Sequence, residues 1–130
     1  MSFLEVNLTD VPELTTVPEG EYEVNCTKAE LRDSRNGDKM VMLYLEVVGE
    51  PTSKDITMPV MLPRREDTEK QRIRSLGRLK EACQAFGVQF DADGFDVSEF
   101  QGATAEAFLD EKETEEYGTQ NNVKRFITGA

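Results

Sequence analysis

Tyr44, Tyr117 and Phe126 are aromatic side chains placed where flat ligands could stack on them, and Arg32, Arg35, Lys39, Lys54, Lys124 and Arg125 are candidate cations to accompany them. Every nucleobase presents a π-face to a ring, and each phosphate along a single strand calls for a cation. Tyr44 can also serve a core, and Phe126 suits a core better, because a closing strand must seal the interior. Lys70, Arg74 and Arg78 recur every fourth residue and so stack on one side of any helix they share. Such a stripe is a solvated face or a phosphate track, and Arg74 and Arg78 are kept as candidates for the second role.

Other chemistries find few residues to work with. The chain has no His, which removes the usual general base and the commonest metal ligand. It has no phosphate-binding Walker loop, dinucleotide fingerprint or nucleophile elbow. Asp91-Ala92-Asp93-Gly94-Phe95-Asp96 resembles a calcium loop, but its glycine comes too early and the closing Glu is misplaced, so it reads as an Asx-turn loop. Cys26 and Cys83 lack metal or disulfide spacing and have no basic neighbour to form a thiolate. They read as two reduced, buried thiols. No catalytic residue, metal or cofactor is assigned.

The elements that must position the candidates are mostly strands. Residues 1–18 form an N-terminal arm, and Val17-Pro18-Glu19-Gly20 is a turn into a first strand. In that strand Tyr22, Val24 and Cys26 share a face before the apolar register shifts to Ala29 and Leu31, as a β-bulge would produce. Asn36-Gly37 marks a hairpin into Met40-Val41-Met42-Leu43-Tyr44-Leu45-Glu46-Val47, a strand apolar on both sides. Val41, Leu43, Leu45 and Val47 fall on one face; Met40, Met42 and Tyr44 fall on the other and want a partner, although one methionine is expected to fill core space. A third strand over residues 54–62 contains Pro59 and ends at Pro63, which places it at a sheet edge.

Thr68-Glu69-Lys70-Gln71 fits a capping box and Gly87 a helix stop, so one main helix spans the interval. Ile73, Leu76, Leu79, Cys83 and Phe86 form its expected apolar arc, and Arg72 is expected to snorkel beside it. Residues 88–102 read as loop, and final strands near 103–110 and 121–127 flank an acidic loop at 111–118. The expected fold is mainly β: a five-stranded OB-like barrel with the helix between its third and fourth strands, occupying residues 19–130 as a single domain.

The chain has 130 residues, enough for one domain with a core. No apolar run approaches the roughly 20 residues of a membrane span, and the arm has three acids and no base, against a secretory or transit peptide. Net charge is −11, but residues 64–80 hold seven bases and three acids. The mean argues against indiscriminate polyanion binding, whereas the local excess leaves room for a directed contact.

Pro18-Glu19-Gly20-Glu21-Tyr22-Glu23-Val24, Lys28-Ala29-Glu30 and Asn36-Gly37 with its long apolar strand resemble phage-encoded single-stranded DNA-binding proteins, long catalogued as a domain of unknown function. Arg78-Leu79-Lys80, Phe86-Gly87 and Asn121-Asn122-Val123-Lys124-Arg125-Phe126 extend the resemblance across residues 17–127. It implies an OB-like fold without catalysis, binding single-stranded DNA with little sequence preference in phage replication or recombination. The expected location is the cytoplasm of a phage-infected bacterium. The end, Phe126-Ile127-Thr128-Gly129-Ala130, lacks the acidic tail with which better-studied single-strand binders recruit partners. Partners are then single-stranded DNA and phage or host replication proteins, and a homo-oligomer is compatible with this role. The alternative is an acidic protein–protein interaction module or DNA mimic acting on a host or replication protein, though a mimic's carboxylates would be interrupted by the basic helix.

Overall fold

The computed structural model describes residues 2–127, so most of the C-terminal end considered above lies outside the described residues. Strand β1 is long, Gly20–Asp33, because it serves two neighbours. Its first part pairs with β6 (Thr104–Thr114) and its second with β2 (Lys39–Val47), all antiparallel. Between Cys26 and Lys28 the register slips, so Thr27 is the extra residue of a bulge, as the shifted apolar pattern predicted. The bulge bends the strand and increases its twist. β3 (Ile56–Met61) pairs with β2, and β7 (Gly118–Phe126) with β6, giving the order β3-β2-β1-β6-β7. β3 is an edge, which accommodates the missing N–H of Pro59.

Helix α1 (Glu69–Phe86) follows β3 and precedes β6 and β7 in sequence. The Thr68 side chain accepts from the Gln71 N–H and the Gln71 side chain accepts from the Thr68 N–H, completing the capping box. At the other end Gly87 takes φ 71°, where a side chain would be strained, and its N–H reaches the Cys83 and Gln84 carbonyls. Only the C-terminal half of the helix enters the core, through Leu79, Ala82, Cys83 and Phe86. Ile73 and Leu76, expected on the buried arc, stay 63% and 43% exposed, so the core covers only the later members of that arc.

Residues 88–102 are more ordered than a loop. They hold a small hairpin, β4 (Phe90–Asp91) with β5 (Gly94–Phe95), and a 3-10 turn at Val97–Phe100. The turn drives Phe100 into the core, where its ring meets Phe86 edge-on at 5.7 Å and Phe95 at 6.0 Å. The acidic segment is likewise mostly strand: the β6–β7 ladder continues from Glu111 opposite Asn121 to Thr114 opposite Gly118. Acids are tolerated there because their side chains stand in solvent while the backbone is paired.

β3 and β7 are the two edges of the sheet and come alongside one another, but no ladder joins them. The N-terminal arm occupies this seam. Thr15 makes a parallel bridge with Ser53, its N–H reaching the Thr52 carbonyl at 2.9 Å and its carbonyl accepting from Lys54 at 2.8 Å. Two residues on, buried Asn121 accepts from the Val17 N–H and donates to the Val17 and Asp110 carbonyls, each at 2.9 Å. The Thr16 hydroxyl bonds Glu111. Residues 15–17 therefore belong to the body, and the free part of the arm ends at residue 14. No described helix is long and apolar enough to cross a membrane.

Candidate nucleic-acid interface

Strand registers place nine side chains on the outward face of β1, β2 and β3. Lys28, Tyr44 and Thr57 make one row; Glu30, Met42 and Pro59 the next; Arg32, Met40 and Met61 the third. The alternation in β2 forces this arrangement: with Val41, Leu43, Leu45 and Val47 buried, its even-numbered side chains must point outward. The middle column of the face is Tyr44, Met42 and Met40, an apolar strip between basic β1 and the polar-to-apolar edge of β3. Met42 is only 8% exposed although it lies outside the core cluster, so its neighbours on this face cover it.

Tyr44 is half-buried among β1 side chains. The Lys28 ammonium stands 5.7 Å from its ring centroid, its hydroxyl donates to Glu30 at 2.9 Å, and Arg32 donates to that hydroxyl at 3.2 Å. Glu30 also lies 3.4 Å from Lys28 and 3.6 Å from the Arg32 Nε. The Tyr44 hydroxyl, then Lys28 and Arg32, hold the Glu30 carboxyl below the usual glutamate range. The cluster carries two cations and one anion. Any flat ligand stacking on Tyr44 would have to displace Lys28 from the ring.

From the third row the basic character continues in two directions. The β1–β2 connection, residues 34–38, turns through Gly37 at φ 81° and leaves Arg35 and the following Lys39 exposed. Behind it, Arg64 pairs with Asp38 at 3.4 Å and Asp67 at 3.3 Å, fixing the hairpin against the segment that follows β3. Met61, at the corner of the grid, also borders a cleft lined by Arg64, Gln71, Arg74 and Arg78. Tyr44 and Arg32 thus share the outward face, Arg35 and Lys39 stand at its hairpin end, and the cleft with Arg74 and Arg78 adjoins it at Met61.

The remaining candidates lie elsewhere. Phe126 is in the core, its ring edge-on to Phe86 at 5.4 Å, in line with the core reading preferred for it, and so it leaves the candidate stacking surfaces. The Lys54 ammonium is tied to the Thr119 carbonyl at 2.9 Å across the β3–β7 seam, a structural use. Tyr117 is exposed at the tip of the β6–β7 hairpin. Lys124 and Arg125 instead flank Phe108: the Arg125 guanidinium carbon lies 4.6 Å and the Lys124 ammonium 5.8 Å from its centroid. Phe108 was missed, although its position between inward Ala107 and Leu109 in a strand was a readable signal that it faces outward. Its surroundings disfavour phosphate, since Glu21 is its register partner and Glu23 faces Glu106 on the same two strands.

Acids gather at the Tyr44 end of the grid as well, where Glu23, Glu46, Glu50 and Asp55 line one cleft. Glu46 is engaged by Asn25 at 3.0 Å. Among the described residues no group of acids or cysteines is arranged to hold a metal ion. Cys26 and Cys83 are free and buried, and burial pushes both thiols up, away from thiolate chemistry.

A family model described as a protein of unknown function (DUF669) matches residues 4–128. No curated protein matches the chain.

Proposed function

We propose that this chain, which belongs to the DUF669 family, is a non-catalytic binder of single-stranded DNA that works in phage replication or recombination. The observation that carries the reading is the outward face of β1–β3, where Tyr44, Met42 and Met40 run alongside Lys28, Glu30 and Arg32 of β1 and adjoin, at Met61, the cleft with Arg74 and Arg78. Rings and thioethers accept any base, and the cations follow a backbone rather than a sequence. The strand order, the helix after the third strand and the approach of β3 to β7 support an OB-like barrel, a fold that binds oligonucleotides over this part of its sheet. Bound strand would cross the grid toward the helix cleft and away from the acids beside Glu46.

The test is a titration with labelled oligo-dT, oligo-rU and duplex at several salt concentrations. Binding to oligo-dT that exceeds binding to duplex and weakens steeply with salt is the expected result. Absence of any oligo-dT complex at low salt and micromolar protein would overturn the reading. The second reading, an acidic module that docks a replication or host protein, is favoured by one observation: Glu21, Glu23 and Glu106 form an acidic face on the other half of the sheet.

A further inference from the structure

Six large apolar side chains of the arm, Phe3, Leu4, Val6, Leu8, Val11 and Leu14, are each more than half exposed. The segment is not a strand: the Val6 N–H bonds the Leu4 carbonyl at 3.1 Å in a tight turn, and the Asn7 side chain bonds Asp10 at 2.7 Å in another. The same segment carries Glu5, Asp10 and Glu13 and no base. A water-exposed run of this kind is stabilised by covering its apolar face.

The chain contains a surface with the complementary character. On α1, Ile73 and Leu76 are exposed, and Phe90 of the small hairpin stands beside Leu76 at 43% exposure. Arg72 and Lys80 lie one turn either side of Leu76, and Lys70 lies beside Ile73. Gly77 leaves open space over the helix between them, since a Cβ there would meet nothing within 4 Å. The nearby acid Asp91 is engaged by the Asp93 and Gly94 N–H groups in its own turn. Asp93 stands on that hairpin side too, so the arm's acids meet the helix bases instead.

Within one copy the two patches do not cover each other: the arm leaves beside Ser53, and its apolar side chains and the Ile73, Leu76 and Phe90 face are all exposed. We infer that residues 3–14 of one copy dock on the Ile73–Leu76–Phe90 face of a second copy. Because the two patches differ and are both left open within one copy, the contact is heterologous and repeats head to tail. It involves no nucleic acid and stands independently of the DNA-binding reading.

Sedimentation velocity on the full chain without DNA tests it. Wild type should grow beyond dimer as concentration rises. The triple variant Leu4→Ser/Val6→Ser/Leu8→Ser and the single variant Leu76→Asp should each stay monomeric, with melting temperatures close to wild type because all four side chains are exposed. Mixed in equal amounts, the two variants should form a dimer and nothing larger, since only one good arm and one good helix face remain to meet. A wild type that stays monomeric throughout, as an arm folded onto its own helix would give, overturns the inference. So do variants that associate like wild type.

Discussion

The Tyr44 ring and its hydroxyl face different partners, Lys28 on one side and Glu30 with Arg32 on the other, so two substitutions separate their roles. Tyr44→Ala should weaken oligo-dT binding by about 1–3 kcal/mol, the worth of one base–aromatic stack. Thermal melting should change little, because the ring lies outside the core cluster. Tyr44→Phe should keep the stack and release the first cause of the Glu30 shift, so NMR titration should find the carboxyl titrating at higher pH. Glu30 itself opposes a phosphate. Glu30→Gln should therefore tighten oligo-dT binding, and wild type should bind more tightly as pH falls through the Glu30 titration. The stability effect has the other sign: a carboxyl held low when folded stabilises at neutral pH, and that contribution fades as pH drops through its lowered value. Tyr44 was legible from strand alternation alone. The roles of Lys28 and Glu30 were not, since they depend on a bulge at Thr27 that sets which β1 residues stand opposite Tyr44.

At the scale of elements, the clasp between Val17 and Asn121 joins the arm to β7 and closes a seam that no ladder spans. Asn121→Ala should leave the Val17 N–H and carbonyl buried without partners, at a cost of about 1–3 kcal/mol for such a group. Chemical denaturation should register the loss, and hydrogen exchange at Thr15 and Val17 should quicken even under conditions where β1 and β2 remain protected. The helix limits were readable because Thr68, Gln71 and Gly87 act locally, and Pro59 identified an edge strand by the same local logic. How much of the helix is buried was not readable. Ile73 and Leu76 satisfy the same periodicity as Leu79 and Cys83, and only the tertiary arrangement decides which of them are covered. Asn121 gave no signal either, because its partner is 104 residues away.

For the whole molecule, a net charge of −11 surrounds one basic side, so any phosphate contact works against an unfavourable field. Arg32→Ala and Arg78→Ala should each flatten the salt dependence of oligo-dT binding by about 0.7–1 in log–log slope, the change expected for one lost phosphate contact on a single strand. Residues at the far side, such as Lys124, should leave that slope unchanged. The strand order was legible from turns and periodicity, while the division into a basic and an acidic side was not, since it depends on which strands curl toward each other. That curl also governs how the chain comes to be folded. β1 takes β6 as a neighbour, Gly20 facing Leu109, and the clasp waits for Asn121, so the N-terminal half cannot complete its pairing until nearly the entire polypeptide has been synthesised. Partnerships this distant in sequence slow folding, because a long loop must close before any contact rewards it. On the ribosome the nascent chain is thus left with the free edge of β1 unpaired until β6 emerges and the apolar inner face of β1–β3 incompletely covered until β7 follows, an interval in which chaperone capture competes with aggregation.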